Sequence, residues 1–332
     1  MDSLKQTTDV LVVGAGMAGL IAARELLRAG RSVLVLDKGR GVGGRLASRR
    51  IDGATFDHGA QGFTTGDSRY GAVALRERLE GAVAEWNPAP ASRSGRAHWR
   101  GVPSMSGVAK HLALGIPVEL ETTLTALHPE ADHWVASTLA GHSVTAKAVI
   151  LTPPVPQALA LLDAGNSPVA PALRQRLNAI EYERCLAVMA VLEGPSRIPH
   201  PGGILFDTGP IASITDNQRK GISREPAITL QATPAFSLEH WDQDRMATAR
   251  LLLDAAAPWL GTGVRNHQVH GWRYSRPRVM DPEAFVLASN VPPLALAGDA
   301  FGPGGVEGAA FSGFEAAKAI LARLADRREP AQ

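Results

Sequence analysis

Three glycines spaced as Gly14-x-Gly16-x-x-Gly19, with Asp37 downstream of them, are the residues whose types and spacing say most about chemistry. None is a nucleophile or a proton carrier; the pattern holds an anion. Gly14 permits a tight turn, Gly16 lets a pyrophosphate approach the main chain, and Gly19 lets a helix pack against the strand before it. A carboxylate roughly twenty residues further on accepts a hydrogen bond from a ribose hydroxyl. The chemistry is therefore recognition of a dinucleotide, provided that a strand precedes the glycines and a helix follows. Both elements are expected: residues 10–13 are an apolar run, and 20–29 continue as a helix-forming segment whose free N–H groups and positive dipole end face the phosphates. Residues 31–36 then supply a second strand that ends at Asp37.

Directly after it comes a second glycine-rich stretch, Lys38-Gly39-Arg40-Gly41-Val42-Gly43-Gly44-Arg45. Two glycines followed by an arginine bring main chain and a guanidinium to the same pyrophosphate, opposite the first helix. This stretch resembles the GG-motif of FAD-dependent oxidases, which implies noncovalent FAD. No second GxGxxG follows a strand later in the chain, so no separate NAD domain is expected. Far downstream, residues 294–299 form a buried strand ending in Gly298-Asp299, and a long helix spans about 306–323. Asp299 is placed to accept from a ribityl hydroxyl. The helix start, with Gly305 and Val306, is placed to present its positive end to the N1–C2=O edge of a flavin. Glu307 reads as a helix-start residue.

Composition narrows the class. A chain of 332 residues that is 45% hydrophobic can bury a large core as one large or two intimate domains. The formal charge of +2 and the dispersed basic residues give no argument for nucleic acid. The sole cysteine, Cys185, lies in an apolar stretch and reads as a buried structural thiol. The polar start of the chain and the glycine-broken run behind it fit neither a signal peptide nor a membrane span, so a soluble cytoplasmic protein is expected. Neither a metal-ligand spacing nor a Ser/His/Asp order is present, and no metal is expected.

Asp52-Gly53 marks a hairpin, after which Asp57-His58-Gly59-Ala60-Gln61 forms a compact loop. A helix is expected over residues 70–85, a polar alternating stretch over 92–99, and a short helix over 108–114. Strands are expected over 116–127, 134–139 and 143–151, the last stopped by Thr152-Pro153-Pro154. Helices follow at 157–162 and 170–179, strands at 182–192, 203–206, 211–215 and 227–233, a helix at 241–260, and an aromatic and basic strand at 269–277.

In order along the chain, the GAGMAG turn, the DKGRGVGGR stretch, the DHGAQ loop, Trp99 to Ser106 (WRGVPSMS), Thr152 to Gln157 (TPPVPQ), Tyr274-Ser275-Arg276-Pro277, and Gly298-Asp299 through Val306-Glu307-Gly308-Ala309 resemble the bacterial renalases. These lie within the GG-motif, amine-oxidase-like flavoprotein superfamily. The resemblance implies an α/β fold: a Rossmann-like FAD-binding domain over 1–75, 115–165 and 290–332, and an interleaved α+β substrate domain on an antiparallel sheet over 76–114 and 166–289. It implies cofactor contacts from Gly14, Gly16, Met17, Ala18 and Gly19, and from Asp37, Lys38, Gly44 and Arg45. It adds Gly59, Ala60 and Gln61 from the loop, Leu124 near the adenosine, Thr152 and Pro153 near the pyrophosphate, and Asp299, Gly305 and Val306. Gln61, Trp99, Tyr274 and Arg276 are the candidates at the reacting ring: aromatics to sandwich a flat substrate, Arg276 to meet a phosphate or carboxylate.

The activity implied is oxidation of 2- or 6-dihydro-NAD(P), with hydride passing to flavin N5 and O2 leaving as H2O2. Such a transfer needs positioning and a suitable ring potential more than a dedicated base. Gly62, Gly305 and Ala310 depart from the bacterial pattern, which has an aromatic, an arginine and a tryptophan there. Two other readings stay open: a flavin amine oxidase or desaturase-like enzyme of a small apolar substrate, and an FAD-binding protein without turnover. Lys220, the only lysine of the middle region, lies in a polar loop; polyamine oxidases use a lysine that holds a water beside the flavin.

Overall fold

The computed structural model describes residues 5–66, 81–88 and 98–326. The chain forms two compact units, one of residues 1–44, 109–181 and 277–332, the other of 45–108 and 182–276. These bounds differ from the expected ones: 45–75 goes with the second unit, and 109–114, 166–181 and 277–289 with the first. The expected helix at 70–80 and the polar stretch at 92–97 lie outside the described residues.

The first unit is built on parallel strands in the order β8 (Val118–Glu119), β2 (Val33–Leu36), β1 (Lys5–Val13), β11 (Ser143–Leu151) and β18 (Pro293–Leu296). β17 (Val286–Asn290), an element the sequence reading lacked, adds an antiparallel edge to β18. β9 (Leu124–Pro129) and β10 (Trp134–Thr138) form a hairpin that pairs antiparallel with the first half of β11. The single strand expected over 116–127 is therefore two, parted where Glu121 takes a positive φ of 53°. α1 (Met17–Arg28) packs against the terminal helix Gly305–Asp326. A Cβ on Gly313 would lie 2.1 Å from the Ala18 carbonyl oxygen, so the helices cross there at main-chain distance.

Three elements precede the long sheet of the second unit. β3 (Ser48–Ile51) and β4 (Ala54–Asp57) make the expected hairpin, with Asp52 and Gly53 both at positive φ. β5 (Phe63–Thr64), β7 (His98–Gly101) and β6 (Val83–Glu85) form a small sheet. Residues 83–85 are thus a strand, because Val83 pairs with Gly101 and Glu85 with Trp99 across the sheet. α2 runs Met105–Ala113, three residues ahead of its expected start.

The main sheet has the order β13 (Gly203–Leu205), β14 (Ile211–Asp216), β15 (Ala227–Ala232), β12 (Glu181–Leu192), β16 (Val264–Val279). β12 is apolar over residues 185–192 because both of its faces are covered there. Leu186, Val188, Ala190 and Leu192 join a core with Ala249, Leu252 and Ala256 of the helix Arg245–Leu260, while Met189 and Val191 pack with Ile51, Ala54 and Phe56 of the hairpin. The expected helix over 241–260 starts at Arg245 because the Asp244 carboxylate caps it, accepting from the Ala247 N–H at 2.8 Å. A separate short helix, Pro234–Glu239, comes before it. Among the described residues, no helix is long and apolar enough to cross a membrane.

Candidate functional site

In the first unit, the carboxyl ends of β1, β2, β11 and β18 converge on the glycine turn. Gly14 follows β1 with φ +103°, donating its N–H to the Leu36 carbonyl at 2.8 Å. A Cβ on Gly19 would lie 1.9 Å from the Gly14 carbonyl oxygen, so only glycine lets α1 start this close to the strand. Gly16 is different: a Cβ there meets nothing within 4 Å. The space in front of Gly16 is open, no side chain caps α1, and its first turn holds no acidic residue. An uncapped, uncrowded helix N-terminus fits a pyrophosphate.

The surrounding residues stiffen this turn. Asp37 accepts from the Ala15 N–H at 2.6 Å and the Gly39 N–H at 2.7 Å, so the expected ribose acceptor also ties β2 to the turn. Thr152 donates its hydroxyl to the Val13 carbonyl at 2.8 Å, with Pro153 next in the chain. The second glycine stretch folds onto the first: the Gly43 N–H donates to the Ala15 carbonyl at 2.7 Å, and Gly44 lies against Gly16. Gly43 and Gly44 both have positive φ, a conformation that glycine adopts without strain. The Thr122 N–H donates to the Asp37 carbonyl at 2.9 Å, which brings the strand that begins at Leu124 beside the end of β2. Lys38 reaches Gln157 at 3.2 Å. Met17 and Ala18 open α1; Gly298 donates to the Ser312 hydroxyl at 2.8 Å, leaving buried Asp299 just before the helix that starts at Gly305 and Val306.

The second unit holds the 57–61 loop, and side chains from the main sheet grip it. Thr229 donates to the Asp57 carbonyl at 3.1 Å, Trp272 to the His58 carbonyl at 2.8 Å, and Gln231 to the Gly59 carbonyl at 2.7 Å. Three successive carbonyls are thus turned toward one sheet. Gly59 is obligatory, since a Cβ there would lie 2.0 Å from the Arg45 carbonyl oxygen, and the Ala60 N–H donates to that same oxygen at 2.9 Å. Gln61 folds back, its Nε2 donating to the Asp57 carbonyl at 2.6 Å.

The charged centre of this unit is a pair that sequence reasoning missed. Lys220 Nζ lies 2.7 Å from Asp57 Oδ2, and neither side chain has any exposed surface. Lys220 is therefore a core residue, although it reads as a loop lysine in the sequence. Its head group also donates to Gln61 Oε1 at 3.3 Å and sits 4.8 Å from the centre of the Trp86 ring. Asp57 Oδ1 accepts from the Ser48 hydroxyl at 2.6 Å and the Met105 N–H at 3.0 Å. Burial pushes Lys220 below the usual lysine range, Asp57 pulls it back, and the neighbouring Arg100 pushes it down further. The only available signal was negative: a lone lysine in an arginine-rich region, with an aspartate far away in sequence.

His58 is buried against His270 and Trp272, with ring centroids 4.9 and 5.3 Å away. Burial lowers it to about 3, with the His270 and Arg49 charges acting in the same direction, so it is a neutral core residue. Burial raises the Cys185 thiol to about 11.

The four residues expected at the reacting ring are spread through this unit. Trp99 is buried in β7 and donates Nε1 to the Thr65 hydroxyl at 3.2 Å. Tyr274 stacks edge-on against Tyr182 at 5.4 Å. Arg276 is 71% exposed and paired with Glu183. Arg45 donates to the Tyr274 and Ser275 carbonyls at 3.4 and 3.3 Å. Gly62 has no room for the aromatic of the bacterial pattern: a Cβ there would lie 2.7 Å from the Trp99 carbonyl oxygen and 3.3 Å from the Trp86 ring. Among the described residues, no group of three or more His, Cys, Asp or Glu side chains is placed to hold a metal.

Comparison with known proteins agrees with this geometry. Residues 12–76 match the NAD(P)-binding Rossmann-like domain, and 77–321 match the flavin containing amine oxidoreductase family. A renalase of Mus musculus is 26% identical over 317 residues, 88% of this chain and 92% of its own length. A putrescine oxidase of Kocuria rosea is 57% identical over 53 residues, 16% of this chain and 11% of its own. A putrescine oxidase variant with a redesigned cofactor site superposes with a TM-score of 0.74 at 16% identity, covering 96% of this chain and all of that one. A putative protoporphyrinogen oxidase from Exiguobacterium superposes at 0.73 and 13% identity, covering 96% of this chain and 99% of that one. Having both the glycine cradle and a family match over most of its length, the chain belongs to the flavin containing amine oxidoreductases and is an FAD-dependent oxidoreductase.

Proposed function

We propose that this chain is a renalase-like oxidase that converts 2- or 6-dihydro-NAD(P), O2 and a proton to NAD(P)+ and H2O2. The observation that carries the reading is the extent of the renalase match, 88% of this chain and 92% of the mouse protein, whereas the putrescine oxidase match covers 16% and 11%. FAD, when bound, supplies the chemistry by accepting hydride and returning the electrons to O2. The chain's task is to bind and orient. Gly14, Gly16, Gly44 and the start of α1 hold the pyrophosphate; Asp37 and Asp299 accept from sugar and ribityl hydroxyls. Gly59, Ala60 and Gln61 present a rigid loop to the cofactor, and Tyr274 offers flat apolar surface to a dihydropyridine, with Arg276 for its phosphate. A dihydropyridine aromatises as it loses hydride, so no side chain is required as a base.

The burial of Lys220 supports this reading over that of an amine oxidase, because the only lysine of the second unit is sealed against a carboxylate. The test is anaerobic mixing of the FAD-loaded protein with 6-dihydro-NAD, NADH and a panel of amines. Fastest bleaching of the flavin absorbance by 6-dihydro-NAD is expected. Bleaching by an amine alone would transfer the assignment to amine oxidation.

A further inference from the structure

Lys220 is secured at both ends. Its own N–H donates to the Asp216 carbonyl at 2.9 Å in a tight turn closed by Gly221 at φ +80°, and Asp216 is itself buried and accepts from the Ser196 hydroxyl at 2.6 Å. Its head group lies over the Trp86 ring, which is wedged between two glycines. A Cβ on Gly62 would lie 3.3 Å from that ring and one on Gly203 2.8 Å, while the indole N–H donates to the Pro201 carbonyl at 2.9 Å. The ammonium therefore occupies one position, between Asp57 Oδ2 and Gln61 Oε1.

A buried ion pair of this kind is a poor way to gain stability, because desolvation consumes most of the attraction and an apolar pair of similar volume often does as well. What the pair does supply is direction. Gln61 can turn its carboxamide either way by rotation about one bond. With the Lys220 ammonium at its oxygen and the Asp57 and Gly59 carbonyls at its nitrogen, only one orientation is satisfied.

We propose that Lys220 is a positioning residue for the cofactor-facing loop, acting through Asp57 and the Gln61 carboxamide to hold residues 57–61 in the conformation that binds FAD. This rests on the proposed contact of Gly59, Ala60 and Gln61 with the cofactor, and does not depend on which substrate is oxidised.

The test is FAD titration of the apoprotein, read by flavin fluorescence and visible spectrum, in Lys220→Met/Asp57→Asn, Gln61→Ala and the triple variant. The double substitution leaves no unpaired buried charge and keeps the acceptor for Ser48 and Met105, so its melting temperature is expected near that of the wild type. Its FAD affinity is expected to fall about tenfold, the scale of one hydrogen bond to a charged group. Gln61→Ala is expected to do the same, and the triple variant no more than either. Wild-type affinity and spectrum in the double variant, or losses that multiply in the triple, would overturn the proposal. A double variant that does not regain its melting temperature would assign Lys220 to the fold alone and overturn it too. If the wild type binds FAD but no dihydropyridine bleaches it, the substrate reading fails and this inference stands.

Discussion

The glycine cradle of the first unit and the gripped loop of the second rigidify main chain by opposite means. The cradle works by absence: Gly14, Gly16, Gly19, Gly43 and Gly44 remove side chains so that strand and helix meet at main-chain distance and the space before α1 stays open. The loop works by presence: Thr229, Gln231, Trp272, Lys220 and Ser48 reach into it from separate elements and satisfy its polar atoms one by one. Main-chain recognition is therefore written locally, whereas side-chain gripping is assembled from distant segments.

The two devices differ in how they break. The largest effect is expected from Lys220→Met alone, which leaves Asp57 charged and buried without its cation and costs about 3–5 kcal/mol; urea unfolding of the apoprotein measures it. A loss below about 1 kcal/mol would mean that the pair is not the keystone of the loop. Gly19→Ala comes next, at about 3 kcal/mol, because its methyl meets the Gly14 carbonyl. Gly16→Ala sharpens the point, since its methyl meets no protein atom: the apoprotein's melting temperature is expected to stay put while FAD affinity falls at least about tenfold. Equal behaviour of the two alanine variants would break the distinction between packing glycine and ligand glycine.

Acid offers a further probe of the second unit. His58 refuses a proton until about pH 3 when folded, whereas in the unfolded chain it takes one near 6.5. The unfolded state thus binds more protons between those values, so the contribution is complete above about pH 6.5 and is lost as pH falls toward 3. Replacing His58 by Leu is expected to flatten the acid limb of the stability profile, with His270, lowered by the same burial, leaving a residual slope. An unchanged limb would remove His58 from the account. The smallest stability effect belongs to Arg276→Ala, below about 1 kcal/mol for a pair this exposed. A raised KM with unchanged kcat would mark it as a substrate contact; unchanged kinetics would leave it only its pairing with Glu183.

Legibility follows the same division. The turn at Gly14, the strand into Asp37 and the hairpin at Asp52-Gly53 could be read because each is decided within a few residues by backbone sterics. Of the expected helix at 70–85, the described residues 81–85 are a turn leading into a strand, because a short segment adopts whatever pairing its neighbours offer, and β7 offered a strand. The expected helix at 241–260 had the right end and the wrong start, since the capping role of Asp244 depends on one side-chain hydrogen bond. In the site, Gly62 looked like a missing aromatic, yet the Trp86 ring and the Trp99 carbonyl take up the space.

The dinucleotide cradle, the strand before it and the helix after it, and through them the cofactor class, are legible in the amino-acid order, because glycine spacing and hydrophobic period act over short stretches of chain. Only the tertiary structure decided that Lys220 is buried on Asp57, that three sheet residues hold the carbonyls of the 57–61 loop, and that His58 is neutral. Those are properties of partners 163 to 214 residues apart, brought together by a sheet that neither partner specifies alone.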